Sequence, residues 1–135
     1  MKIIKNYLTA EECQLLIGSC NDERGVGQGR TKFKIPKSVA KKLSITHKAT
    51  LTAAIQYYEV GESFRPHTDL QGNSRRVSSM SILLNDEFKG GNLMVEGTKA
   101  VMNKGDATLF TPEDLHWVTH VLEGHRYVLA VWGVK

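Results

Sequence analysis

Cysteine is nearly absent from this 135-residue chain: Cys13 and Cys20 are the only two, and both fall in one predicted helix. Two turns of helix hold them roughly 10 Å apart, too far for a disulfide. They are expected to pack in the core rather than to ligate a metal. Long apolar runs are missing too. None approaches the roughly 18 residues of a membrane span. The stretch Met1-Lys2-Ile3-Ile4-Lys5-Asn6 lacks the apolar centre of a signal peptide, so a cytoplasmic protein with no membrane contact is expected. There is no internal repeat and no low-complexity tract. The length suits one domain, 1–135, and is too short for two cores.

Charge is present but uneven. The chain carries a formal +4, while residues 21–50 hold eight Lys/Arg against Asp22 and Glu23, a local +6. Such a face attracts nucleic acid, acidic peptides or small dianions, or is simply solvated. Only Phe33 interleaves these charges, which argues against a single-strand groove. Gly25, Gly27 and Gly29 make 21–34 a loop, read here as a lid over a site; no strand or Lys-Ser/Thr frames it as a phosphate cradle.

Two helices precede the strands. Thr9 as N-cap, Glu12 closing a capping box and Leu8 stapled to Cys13 start a helix that runs to about Cys20. Residues Pro36 to Leu43 suggest a second, with Val39, Ala40 and Leu43 on its buried side. Beyond Thr50, alternating or apolar runs at 51–60, 76–84, 92–96, 99–102, 107–110, 115–122 and 125–134 are punctuated by turn signals such as Gly90-Gly91 and Lys104-Gly105-Asp106. The expected fold is mainly β, an antiparallel sandwich or barrel (51–135) with the helical segment (1–50) packed on one sheet.

The chemistry lies in the strands. In Tyr58-x-x-Gly61-x-x-Phe64-x-Pro66-His67-x-Asp69, the glycine turns the chain and a second strand delivers His67 and Asp69 to one face. With a distant third histidine they make two imidazoles and one carboxylate with open positions, the ligand set of a non-haem Fe(II) centre. His116, His120 and His125 are the candidates. His116 stands ten residues before Arg126 in His116-x-Val118-x-x-Val121-x-x-Gly124-x-Arg126; His120, evenly spaced from it, is a candidate donor to a ligand. His125 and His47 are expected to be solvent-exposed.

These motifs, with Gly90-Gly91-Asn92-Leu93 between them, resemble those of the 2-oxoglutarate and Fe(II)-dependent dioxygenases of the prolyl 4-hydroxylase-like superfamily, closest to its small bacterial and phage-type peptidyl hydroxylase branch, over roughly residues 50–134. The resemblance implies a double-stranded β-helix, a jelly-roll or cupin-like barrel. It makes His67, Asp69 and His116 the iron ligands and Arg126 the partner of the far carboxylate of 2-oxoglutarate, a role suited to a planar fork that stays charged when buried. It makes Tyr58 a hydrogen-bond donor to that co-substrate, with Leu83 and Leu93 lining its chain and Trp132 a wall beside the metal. Some relatives carry tyrosine at Leu83; here Thr108, Ser79 or Ser81 offers the missing hydroxyl.

Ascorbate enters as the reductant such enzymes use. Three substrate classes stay open. A prolyl residue of a peptide or protein comes first, a free amino acid or other small molecule second. Nucleic acid is disfavoured, because alkylation-repair relatives carry a second arginine where Trp132 stands. A metal-free barrel is the non-enzymatic alternative.

Overall fold

The chain opens on a short strand that its sequence does not advertise: β1 (Lys2–Ile4) pairs antiparallel with β8 (Ala107–Phe110) at the edge of a five-stranded sheet. A computed structural model describes residues 1–20, 32–70 and 75–135. The glycine-rich part of the lid reading, 21–31, lies outside them. Helix α1 (Ala10–Gly18) starts as expected, for Thr9 Oγ1 accepts from Glu12 N and the Glu12 carboxylate accepts from Thr9 N. It ends sooner than its pattern suggested. Ser19 caps it, so Cys20 lies beyond it and only Cys13 is buried in it.

Helix α2 (Lys37–Thr46) buries Val39 and Leu43 but leaves Ala40 exposed. Lys42 and Ser38 both bond to the buried Glu12 carboxylate, which ties the two helices together. Part of the basic stretch thus serves packing.

The long strands β2 (Thr50–Tyr58), β4 (Arg76–Leu83) and β11 (Arg126–Val134) form the centre of the large sheet, ordered β1-β8-β4-β11-β2. Alternation sorts their side chains. Ile55, Ile82, Leu129 and Val131 face the helices and join Leu8, Cys13, Leu16, Val39 and Leu43 in one core. Tyr58 faces the other way, into a second core with Leu93, Val95, Phe110, Val118 and Val121.

That inner layer is closed by β3 (Phe64–His67), β6 (Leu93–Val95), β7 (Thr98–Lys99) and β9 (His116–Val118), ordered β3-β9-β6-β7, with β5 (Phe88–Gly90) and β10 (Val121–Gly124) as a separate ribbon. Two antiparallel sheets facing one another, helices outside one of them, is the barrel expected.

The expected strand at 115–122 is broken at Thr119 and His120, and that at 99–102 ends at Lys99. The Gly-Gly motif has a steric origin. A Cβ on Gly90 would collide with the His120 carbonyl, and one on Gly91 would come within 3.0 Å of Arg126 Cδ. Both take positive φ, +73° and +57°, so glycine is required twice over.

Candidate active site

His67 and His116 sit directly opposite one another on β3 and β9, a pairing that sets two imidazoles side by side. Their ring centroids are 4.2 Å apart. Asp69 is not on the strand, as the two-residue spacing suggested; it lies in the turn just after β3, anchored by its N–H to the Pro112 carbonyl at 2.9 Å. The turn still brings its carboxylate home. One ligand atom from each of His67, Asp69 and His116 lies within 4.8 Å of the others.

Each of the three side chains is held from behind. His67 Nδ1 donates to the Arg65 carbonyl at 2.7 Å and His116 Nδ1 to the Asp114 carbonyl at 2.9 Å, which keeps a proton on each Nδ1 and turns both Nε2 atoms toward Asp69. Asp69 Oδ2 accepts from Ser79 Oγ at 2.6 Å and Trp132 Nε1 at 3.0 Å. Its other oxygen, Oδ1, faces the two Nε2 atoms at 3.2 Å (His116) and 3.7 Å (His67). Burial alone would raise the Asp69 carboxyl, but hydrogen bonds from His116, Ser79 and Trp132 bring it to about 2, so it is an anion ready for a cation.

The ligands open into a cavity of about 320 Å³ between the two sheets. Arg126, the first residue of β11 and paired with Tyr58, forms part of its wall. Its guanidinium is 1% exposed and lies 5.1 Å over the Tyr58 ring, yet Nε and Nη1 have no acceptor among the described residues. A buried cation without a carboxylate is costly unless a ligand supplies one. The residues therefore fit a divalent metal at one end and a dicarboxylate reaching to the other.

Leu93 lines this cavity. Leu83 instead lines a second cavity of about 260 Å³ on which Arg126 also borders. Tyr58 is fully buried, with its hydroxyl 3.5 Å from Gln56 Oε1, and Trp132 is a donor to Asp69 as well as a wall.

Of the three hydroxyls weighed for the co-substrate, only Ser81 lines the cavity; Ser79 is spent on Asp69 and Thr108 contacts Met102 Sδ. His120 is exposed and outside the site, because the break before β10 destroys its phase with His116. His125 is exposed but holds the Tyr57 hydroxyl at 2.9 Å. His47 corrects its expectation: it caps α2, is 6% exposed, bonds Ser78 Oγ at 3.2 Å, and is lowered from its ordinary pKa by burial.

Sequence reasoning gave no site role to Phe64 and Phe110, whose rings pack at a tilt against His67 and His116, or to Arg65 and Arg76 at the cavity wall. The Asp69 clamp depends on the strand register that aligns Ser79 with Trp132, which no local feature of the sequence announces.

Comparison with known proteins agrees with this geometry. The chain is 40% identical over 81 residues to a PKHD-type hydroxylase of Synechococcus sp. (strain CC9605), a match covering 53% of this chain and 36% of that protein, so the chain spans little over a third of its curated relative. In fold it is similar to the viral collagen prolyl hydroxylase of Paramecium bursaria Chlorella virus-1 (TM-score 0.73, 18% identity, 99% of this chain and 96% of that one). It is similar also to a Pseudomonas putida prolyl-4-hydroxylase (TM-score 0.76, 16% identity, 99% and 91%). The model of the 2OG-Fe(II) oxygenase superfamily matches residues 53–133, the span that carries both histidines, Asp69 and Arg126, and the chain belongs to that superfamily.

Proposed function

We propose that this chain is a 2-oxoglutarate- and Fe(II)-dependent hydroxylase that acts on a prolyl residue of a peptide or protein and releases succinate and CO2. One observation supports it above the others: three ligand atoms within 4.8 Å open onto a cavity that also holds a buried arginine with orphaned donors. His67 and His116 would hold Fe(II) through Nε2 and Asp69 through Oδ1. Bound there, the metal and its co-substrate supply oxidative decarboxylation by O2 coupled to hydroxylation of a C–H bond.

The chain's own residues do the rest. Arg126 takes the far carboxylate bidentately and Tyr58 covers its guanidinium. Leu93, Phe110 and Val118 keep water from the chelate. Ser79 and Trp132 hold Oδ2 so that Asp69 offers a single oxygen. Ascorbate is included as the reductant that keeps iron ferrous between turnovers.

The prolyl substrate is supported by the names of the two prolyl hydroxylases whose fold this chain shares. A free amino acid is the second reading, favoured by the small cavity, at the low end for ligand pockets.

The test is anaerobic addition of Fe(II) and 2-oxoglutarate to metal-free protein, followed by O2. The reading expects the charge-transfer absorption of an iron-bound 2-oxo acid, then succinate. Absence of both would overturn it.

A further inference from the structure

Two arginines at the cavity wall are left over once the co-substrate is accounted for. Arg76 lies 4.1 Å over the Trp132 ring and its Nη1 donates to the Asp69 carbonyl at 3.1 Å, while its Nε is buried without an acceptor among the described residues. Arg65, from β3, lines the same cavity and is exposed. Among the described lining residues Asp69 is the only carboxylate, and both of its oxygens are committed. No ion pair reaches either arginine among the described residues.

The charges are uneven in a way that names a ligand. On the proposed function, on which this inference rests, a divalent metal with Asp69 leaves one positive charge and Arg126 adds a second. A dianionic co-substrate neutralises both. Arg65 and Arg76 then face the remaining space with no carboxylate paired to them among the described residues, in a cleft where low-dielectric walls strengthen their field.

We propose that the substrate presents a carboxylate to Arg76 and Arg65 beside its reacting C–H bond. Arg76 is prepared for that contact. Trp132 fixes the plane of its guanidinium and the Asp69 carbonyl fixes one nitrogen, so little freedom is lost when a planar anion meets the rest of the fork. Two sources share this chemistry: the α-carboxylate of a free amino acid and an acidic side chain next to the target residue of a peptide.

A nucleic-acid phosphate fits less well. Base recognition needs an open aromatic face. Here Phe64 and Phe110 pack at a tilt against His67 and His116, and Arg76 covers Trp132.

The experiment uses Mn(II)-loaded protein saturated with 2-oxoglutarate and measures calorimetric binding of matched pairs: L-proline against L-prolinamide, and proline peptides flanked by Glu against the same peptides with Gln. The Fe(II) enzyme is then assayed on the same pairs and on an oligonucleotide for the mass gain of one oxygen atom. The acid of at least one pair is expected to bind about tenfold or more tightly than its amide, with the preference shrinking in added salt. Which pair shows it identifies the source of the carboxylate. Arg76→Gln and Arg65→Gln should each reduce the preference and Arg76→Lys should retain part of it.

Equal binding of acid and amide would overturn the proposal. So would a preference that survives both Gln variants, oxidation of the oligonucleotide in place of the acids, or binding of no pair by protein that still takes up 2-oxoglutarate. Failure to take up 2-oxoglutarate at all would strike the proposed function instead.

Discussion

Replacing Arg126 with methionine is expected to make the ligand-free protein more stable while removing its co-substrate site. The side chain is 1% exposed and two of its nitrogens are buried without an acceptor. Each orphaned donor costs about 1–3 kcal/mol. Against that, the contact with Tyr58 is worth about 1–2 kcal/mol and methionine repacks the space imperfectly, at about 1 kcal/mol. At the middle of these ranges the balance favours Met by about 1–2 kcal/mol. For a domain of this size that is a rise in Tm of about 3–7 °C.

The same change should weaken 2-oxoglutarate about 30-fold or more, since truncating one side of a buried charge pair costs about 2–5 kcal/mol. Thermal melts with and without Mn(II) and 2-oxoglutarate read both effects, because a ligand that binds only the folded state raises Tm by linkage. Wild-type protein should gain on adding 2-oxoglutarate and Arg126→Met should not. A variant whose ligand-free Tm falls would mean that the arginine supports the fold. One that still gains from 2-oxoglutarate would mean that another group holds the carboxylate.

Ser79→Ala, which removes a donor 2.6 Å from Asp69 Oδ2, should weaken metal binding about 10- to 100-fold in a competition titration, with unchanged affinity counting against the clamp. His116→Ala should abolish Fe(II) binding and 2-oxoglutarate turnover, as should His67→Ala or Asp69→Ala, whereas His120→Ala, altering an exposed side chain, should leave metal content intact. Burial would raise the Glu12 carboxyl, but bonds from Lys42, Ser38 and the Thr9 N–H bring it from 4.5 to about 2. A depressed folded pKa means stability present above pH 4.5 and lost as pH falls toward 2, so the stability advantage of wild type over Glu12→Gln, up to about 3 kcal/mol and read as a Tm difference, should close across that window. An advantage constant with pH would show that the carboxylate charge is not what matters.

The barrel was legible because alternation along 51–60, 76–84 and 125–134 and the turns between them are local properties of the chain. That His67, Asp69 and His116 would cluster was carried by the resemblance rather than by strand spacing, since Asp69 reaches the two histidines from the turn after β3. What was not legible depends on distant partners. Lys2–Ile4 is too short to read as a strand until β8 lies beside it. His47 is polar and follows a helix, so it reads as exposed until Ser78 and the strand beneath it cover it. His120 kept its spacing from His116 but lost its phase, because the chain leaves the strand between them.

The clamp on Asp69 shows why. Its members are 10 and 63 residues away and meet only because β4 and β11 pair with Ser79 opposite Trp132. The same pairing sets the length of the site. Arg126 and Trp132 lie on one face of β11, six residues and about 20 Å of strand apart, and the arginine side chain spans part of that interval. One end of the strand orients the Asp69 carboxylate and the other carries the buried Arg126 guanidinium. The spacing between the two is therefore fixed by the rise of a strand bonded on both edges, to β2 and β4, rather than by a loop. A one-residue slip that put Val131 where Trp132 stands would put His125 where Arg126 stands and destroy both anchors together. Building both ends of a site on one central strand makes its geometry as rigid as the fold, and it makes register the property on which activity depends.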